Sequence, residues 1–402
     1  MFSTGFDRIR NTAARIGNRN VLPDPGRLTD LLEKAAAGSV LDDDELLEVI
    51  NFTFDQESRN LILEFAERYF RPREREILLL PPLYVSSICE NDCRYCSFSS
   101  NGKRLSLNEF SDELETLIGL GYRSIELVSS QDPSLYKHTD GFNLQDQTFL
   151  IDKAVEYFAC ARDRLRQDGR SMLTSNIPPL DTGSFRKLKQ AGLDCYLVWL
   201  ETFNPQQYAS LHIQDGPKAN QSFRLDSFER AVEAEINHLA GGFLKGLHDW
   251  RREEFVLYAL DRHLKGKIGK GFSIIGTPRL KGEFQLSNLV NTYTVSDEEY
   301  ILNIALDRIL FDGILWLQTR ESFDFNLQLI RRFGAGVILT LTSCTAPGGY
   351  CRPPKASSQF PVYKQDLHDS VRALQNEGFS VLFGWDSWTL SQFQRSVKTV
   401  QA

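Results

Sequence analysis

Residues 77–88 read ILLLPPLYVSSI. A short apolar run of this kind is the pattern of a strand buried on both faces, as in a parallel sheet, and it is read as one in spite of Pro81 and Pro82. A helix follows it: Ser106 and Glu109 have capping-box spacing, and Phe110, Leu114, Leu117 and Ile118 fall on one face ahead of Gly119 and Gly121. Strand and helix then keep alternating. The further strands are SIELVSS from Ser124, MLTSNI from Met172, CYLVWL from Cys195, residues 239–246, FSIIGT from Phe272, ILWLQT from Ile314 and VILTLT from Val337. Helices are expected near 145–166 and 184–190, before 234, and over 250–264, 297–309 and 322–332, with Ser296 and Glu299 as a second capping box. Eight strands alternating with helices over residues 77–345 is the count of an α/β fold of the (β/α)8 TIM-type barrel class. An open doubly wound sheet is the competing arrangement.

Outward from that core, residues 1–76 carry apolar residues at helical spacing in LTDLLEKAAAG, LDDDELLEVINFTF and LILEFAERYF, an N-terminal helical extension. Residues 346–402 open with the turn-rich APGGYCRPPKASSQF, which should cross an end of the barrel, and continue to a helix near 366–377 and the run FSVLFGW. They are expected to form a C-terminal cap closing the barrel. No internal repeat or low-complexity tract is present.

Composition narrows the function. The chain of 402 residues is 42% hydrophobic and 25% charged, as in a soluble globular protein. No segment approaches the roughly 20 apolar residues of a membrane span. A net charge of -7 and a pI near 5.6 argue against a broad nucleic-acid-binding face, so a small-molecule substrate is expected, with neither nucleic acid nor membrane as partner. The opening MFSTGFDRIRNTAARIG lacks the apolar core of a secretory signal, which suggests a cytoplasmic protein. Seven cysteines, an odd number with three inside eight residues, suit metal ligation better than a disulfide framework.

Those three are Cys89, Cys93 and Cys96 in SSICENDCRYCSFSS, directly after the first strand, where the loops of a barrel build its active site. Three thiolates on one loop can wrap an iron-sulfur cluster and leave one iron without a protein ligand. The alternative is a zinc site completed by a distant ligand, although neither a paired Cx2C nor a nearby His accompanies the motif.

The CxxxCxxC loop and its position resemble the radical S-adenosylmethionine (SAM) superfamily. That resemblance implies a 4Fe-4S cluster on Cys89, Cys93 and Cys96 whose open iron is chelated by SAM, and reductive cleavage of SAM to methionine and a 5'-deoxyadenosyl radical. Further segments, from about Pro81 to Trp385, resemble the branch holding the 2-iminoacetate synthases of thiamine biosynthesis, the tyrosine lyase of hydrogenase-cofactor assembly and a tryptophan lyase. They are PLYVSSICENDCRYCSF, LETFNPQQYASLH with GPK after it, GLHDWR, TPRL, QTRES, SCTAPGGY and GWDSW. Cysteines for a second, C-terminal cluster are absent, which disfavours the hydrogenase role.

By resemblance, Tyr95, Ser130, Gln131, Glu201, Arg224 and Arg279 would serve the cofactor, while Arg320 of the TRE segment would hold the substrate carboxylate with Tyr84 and Ser343 lining the same cavity. Glu201 with Arg224 can also be read as a surface ion pair, and Arg320 as a partner of Glu321. Ser130-Gln131 departs from the Gly-Glu pair usual in the branch, and Gln lacks the charge of Glu for contacting an ammonium. The implied reaction removes a hydrogen from the amino group of an aromatic amino acid and breaks its Cα–Cβ bond, converting tyrosine to dehydroglycine and p-cresol. Tryptophan cleavage, another radical modification or rearrangement of an amino acid, and a non-catalytic iron-sulfur or zinc protein are the alternatives. An electron donor such as flavodoxin or ferredoxin, and an enzyme accepting the imine product, are the implied partners.

Overall fold

The computed structural model describes residues 1–17, 24–70, 75–139, 148–165, 170–212, 216–276, 278–280, 293–351 and 359–396. Its core is a ring of parallel strands. In chain order the strands are β1 (Glu76–Leu79), β2 (Pro82–Ser86), β3 (Ile125–Ser129), β4 (Lys137–His138), β5 (Phe149–Leu150), β6 (Leu173–Asn176), β7 (Cys195–Trp199), β8 (His238–Gly242), β9 (Ile274–Gly276), β10 (Ile314–Leu317), β11 (Val337–Leu339) and β12 (Ser380–Leu382). Hydrogen bonding runs β12-β1-β11-β10-β9-β8-β7-β6-β3-β2, all in parallel, with β4 and β5 forming a separate antiparallel hairpin.

The two ends of that order are one piece of chain. Leu80 and Pro81 join β1 to β2, so β1 pairs with β11 (Leu79 opposite Leu339) while β2 pairs with β3 (Leu83 opposite Leu127), and the ring closes as a (β/α)8 barrel. The run read as one strand is thus bent into two at the prolines, which cannot donate to a ladder. At the lower end β12 enters beside β1, pairing Ile77 with Val381.

The helices follow the expected pattern. Ahead of the barrel come α1 (Phe6–Ala13), α2 (Pro25–Ala36), α3 (Asp43–Phe52) and α4 (Gln56–Phe70). Within it lie α5 (Leu107–Gly119), α6 (Asp152–Leu165), α7 (Thr182–Gln190), α8 (Pro205–Leu211), α9 (Gln221–Leu225), α10 (Ser227–Glu233), α11 (Trp250–Ile268), α12 (Asp297–Leu310) and α13 (Phe323–Phe333), and after it α14 (Leu367–Asn376) and α15 (Ser387–Ser396). Ser106 and Glu109 make both capping-box hydrogen bonds at the start of α5. The helix expected near 145–166 begins later, at Asp152, because Phe149 is extended in β5 with its N–H donating to Asp181. The strand expected over 239–246 ends at Gly242, beyond which the chain turns over the barrel mouth.

The N-terminal helices pack on the flank of the barrel, against α11 and α12. Arg251 and Arg262 of α11 bind them, through Thr53 and through the Leu41 carbonyl with Asp43. Sandwiched in this way, α12 buries an unbroken run from Leu302 to Leu310, including Asn303 and Asp307, rather than a single stripe. Among the described residues no helix is long and apolar enough to cross a membrane.

The C-terminal segment seals the lower end of the barrel. Trp385 is fully buried there, donating from its indole N–H to the Leu79 carbonyl at 3.0 Å and clasped by Ser124, whose hydroxyl donates to its carbonyl at 2.8 Å. It packs with Leu78, Met172, Leu197, Ile274, Ile314 and Ile338 as the plug of the interior. Trp385→Ala should therefore destabilise the protein by about 3–5 kcal/mol. Urea unfolding of the two proteins checks this, and a difference below about 1 kcal/mol would show that the plug is not needed to hold the ring closed.

Candidate active site

The upper end of the barrel opens into a cavity of about 790 Å³, its open mouth included. Its lining residues come from the strand ends and the loops beyond them: Tyr84, Tyr95 and Cys96 from the first unit, Glu201 and Lys218 after β7, Gln318 and Arg320 after β10, Ser343 after β11, and Gln359 and Phe360 from the C-terminal segment. This is the end at which barrels assemble active sites.

The cysteine loop is zipped shut at its base. Ser87 and Cys89 donate their N–H groups to the carbonyls of Lys103 (2.8 Å) and Ser99 (2.9 Å). Gly102 makes this possible, since a Cβ there would lie 2.3 Å from the Ser87 carbonyl group. Further out, Arg94 N–H reaches Leu211 O, and Ser97 N–H reaches Gln359 O. Cys93 packs with Leu211, Leu244, Leu247 and Leu280, while Cys89 and Cys96 pack against Tyr84, Phe98 and Val128. Burial pushes the Cys96 thiol up to about 12 and raises that of Cys93 as well, so both need a bound metal to become thiolates. Among the described residues, no three His, Cys, Asp or Glu side chains are drawn together as the chelate of a single ion. Three thiols on one loop in an apolar surround, with Cys96 on the cavity wall, do fit the donor set of a 4Fe-4S cluster with one iron open to a ligand.

Beside the loop lies a polar network. Lys218 donates to Glu201 at 2.6 Å and to the Tyr95 hydroxyl at 2.9 Å, and that hydroxyl shares a 2.7 Å hydrogen bond with His212. Burial pulls His212 down to about 3, which leaves it neutral. Burial opposes the charge on Glu201, but Lys218 and Arg224 outweigh it and hold the carboxyl below its usual range. Glu201 also sits at φ 63°, a left-handed conformation that costs a non-glycine residue about 1–2 kcal/mol. It is an ion pair, as one reading of the sequence allowed, but a buried one at the cavity rather than on the surface. Arg224 stands behind it, 3.6 Å from Glu201 and bonded to the Trp199 carbonyl.

Arg320 reaches the cavity with its guanidinium 3.7 Å over the Phe360 ring. Burial lowers its pKa, and no described residue forms a hydrogen bond or ion pair with it. Glu321, next in sequence, does not neutralise it. That carboxylate grips Arg279 at 2.6 and 2.9 Å, and Arg279 is held further by Asp297 and the Val295 carbonyl. Arg279 is therefore buried behind the TRE turn, where it holds Glu321, and does not line the cavity.

Tyr84 donates to the Gln359 side chain at 2.8 Å, and Ser343 lines the cavity nearby. Ser130 and Gln131 do not line it: the Ser130 hydroxyl donates to Ile88 O, and Gln131 O accepts from Glu90 N–H at 3.1 Å, so both brace the cysteine loop. Sequence reasoning passed over Lys218, Gln359, Phe360, Glu126 and Asn176, all of which line the cavity. The GPK segment pointed toward Lys218; nothing local marked the others.

Two outcomes follow from this geometry. Gly102→Ala should open the base of the cysteine loop and lower bound iron and sulfide to less than about half the wild-type content with unchanged circular dichroism; full cluster content would show that the loop tolerates the added Cβ. Burial also raises Glu126 to about 8 from the ordinary 4.5, so the folded protein binds a proton there that the unfolded chain has lost. Stability from this group is present below pH 4.5 and declines as pH rises through about 8, by at most about 3–5 kcal/mol. Glu126→Gln should flatten that decline in urea titrations at pH 5 and 8.

Comparison with known proteins agrees with the site. The family model for the radical SAM superfamily matches residues 83–259, a span that contains all three loop cysteines. The 2-iminoacetate synthase of Escherichia coli is 27% identical over 380 residues, covering 92% of this chain and 94% of that protein. The 2-iminoacetate synthase of Salmonella typhimurium is 28% identical over 342 residues, 81% of this chain and 83% of its own. Among solved structures, the FeFe-hydrogenase maturase HydG of Carboxydothermus hydrogenoformans superposes with a TM-score of 0.79 at 28% identity, covering 95% of this chain and 85% of that one. With a barrel whose first loop carries three cysteines, Cys96 of them on the cavity wall, this chain is similar to radical SAM enzymes over residues 83–259 and to 2-iminoacetate synthases over most of its length.

Proposed function

We propose that this chain is a radical SAM lyase that cleaves the Cα–Cβ bond of an aromatic amino acid, with tyrosine giving dehydroglycine (2-iminoacetate) and p-cresol. Arg320 carries the reading. A guanidinium drawn out of bulk water, facing a cavity and paired with no described residue, calls for an anion, and a carboxylate meets its fork with two parallel hydrogen bonds. The cavity around it is walled by Tyr84, Trp199, Trp316 and Phe360, which suits a flat ring at the other end of the same molecule. The relatives described as 2-iminoacetate synthases support the same choice.

The bound cluster and SAM would supply the 5'-deoxyadenosyl radical that takes one hydrogen atom from the substrate amino group. Everything else falls to the chain. Arg320 fixes the carboxylate, and the hydroxyls of Tyr84 and Ser343 border it, so that the amino group is held at close range. Tyr95, Glu201 and Lys218 form the polar wall available to SAM, a carboxylate for its cationic groups and a cation for its carboxylate, with Arg224 holding Glu201 from behind. Once the Cα–Cβ bond breaks, the aromatic fragment takes up one electron and one proton to leave as p-cresol, and the imine remains. A flavodoxin or ferredoxin would reduce the cluster, and because an imine hydrolyses in water, a following enzyme would accept it promptly.

Anaerobic turnover of the cluster-loaded protein with each of the twenty amino acids tests the assignment. Tyrosine should raise 5'-deoxyadenosine and yield p-cresol; no response to tyrosine or tryptophan would end the lyase reading, and a zinc-only protein forming no deoxyadenosine would end the enzyme reading. Arg320→Ala should lower kcat/KM by about 30-fold or more at unchanged iron content, as expected for deleting one half of a desolvated charge pair. Cluster loss in that variant would instead make Arg320 structural.

A further inference from the structure

The cavity has a second polar end. Glu126 lies on β3 in register with Pro82 on one side and Thr174 on the other, pointing into the barrel where it lines the cavity at only 4% exposure. The Asn176 side chain, at the end of β6, lines the cavity with it. Among the described residues no cation pairs with Glu126. This is unlike Glu201, held by Lys218, and Asp132, held by Arg104. An acid inside a barrel strand, directly above the apolar plug of Leu78, Leu197 and Ile314, destabilises the fold and satisfies no backbone group. Thr340, which also lines the cavity, is by contrast spent on the fold, donating to Leu80 O and accepting from the Trp316 indole.

Burial keeps the Glu126 carboxyl neutral at pH 7, so it can both donate and accept. Asn176 offers a further amide. Tyr84 feels both groups electrostatically, Glu126 raising its pKa and Arg320 lowering it, so both act on the one cavity that all three line. The cavity is thus a cation at one end, aromatic walls formed by Trp199 and Trp316, and a neutral hydrogen-bonding pair at the other.

We propose that Glu126 and Asn176 are the specificity-determining pair of this site and bind the distal hydroxyl of a phenolic amino acid whose carboxylate Arg320 holds. The inference rests on the lyase reading above and adds to it how the ring is recognised. A buried site made to hydrogen-bond a substrate hydroxyl rejects the analogue lacking it, because its own polar groups are then left unpaired. Phenylalanine would strand the Glu126–Asn176 pair, and an indole would place its N–H elsewhere.

The test uses the cluster-loaded protein with SAM and compares wild type with Glu126→Leu, Glu126→Gln and Asn176→Leu. Deoxyadenosine formation is followed with tyrosine, phenylalanine and lysine, and amino-acid binding is measured separately by calorimetry. Wild type should favour tyrosine over phenylalanine. Glu126→Leu should cut kcat/KM for tyrosine by about 10- to 100-fold, mainly through KM, weaken tyrosine binding to match, and leave phenylalanine unaffected or improved. Glu126→Gln, which keeps a donor and an acceptor, should stay within about fivefold of wild type. If Glu126→Leu fails to hold its cluster, Asn176→Leu makes the same test from the partner side.

Equal losses for tyrosine and phenylalanine, or an unchanged ratio at normal iron content, would overturn the assignment while leaving the lyase reading intact. Lysine turnover by wild type that disappears in Glu126→Gln would also overturn it, since the carboxylate would then be binding an ammonium. A wild-type protein inert toward tyrosine removes the lyase reading itself and this inference with it.

Discussion

An arginine half-withdrawn from water on the cavity wall, with no described carboxylate paired to it, is the constraint around which the mouth of this barrel is arranged. Leaving such a cation unpaired costs several kcal/mol, and a neighbouring acid would normally swing in to meet it. Here each nearby acid is prevented from doing so. Glu321 is adjacent in sequence but is turned outward and gripped by Arg279, itself pinned by Asp297. Glu201 belongs to Lys218 and Arg224, and Asp132 to Arg104 and Ser86. Glu126 is neutralised by burial. Among the described residues Arg320 is therefore left uncommitted, stacked on Phe360, and an anionic ligand would complete it.

How much of this could be read from the sequence depended on whether the signal was local. The eight-strand alternation, the capping box at Ser106 and the cysteine spacing are each contained in a few consecutive residues and appear where periodicity and spacing put them, whereas Ser296 caps its helix alone because the Glu299 carboxylate goes to Arg251. The bend at Pro81–Pro82 was visible as two residues unable to donate, but not its consequence, since which strand each half pairs with is set by ring closure. The TPRL segment marked Arg279 by resemblance but not its partner. Only the fold brings Glu321 onto it across 42 residues of sequence. Glu126 was the least legible, because an acid alternating with apolar residues in a strand reads as an outward, solvated position; in a barrel covered by helices on the outside, the other face points into the interior.

The C-terminal segment contributes to both ends of the barrel, and the two contributions differ in kind. Below, β12 and Trp385 close the interior with backbone pairing, an indole hydrogen bond and apolar packing. Above, Gln359 touches three parts of the site at once: its carbonyl accepts from Ser97 N–H, its side chain accepts from Tyr84, and its amide lies 3.8 Å from the Cys96 sulfur. Hydrogen bonds to a cluster-bound sulfur tune the metal, so with a cluster on Cys96 this contact would couple the segment to the chemistry as well as to the shape of the mouth.

An eight-stranded barrel is just wide enough to be filled by its own side chains, and a cavity inside one has to be made by removing some of them. The chain does this with glycine. A Cβ on Gly276 would lie 2.0 Å from the Trp199 ring and one on Gly242 would meet the Gly276 carbonyl at 2.6 Å, so the absence of side chains on these neighbouring strands lets the Trp199 indole lie against the barrel wall. Trp316 meets it with ring centroids 6.0 Å apart at 36°. Together the two indoles form an aromatic surface of the cavity that Glu126, Asn176 and Arg320 also line. The same two glycines that thin the packing thus decide the shape of what can bind: a flat side chain can lie along the indoles, whereas any side chain added at Gly276 would push Trp199 into the volume the ring must occupy.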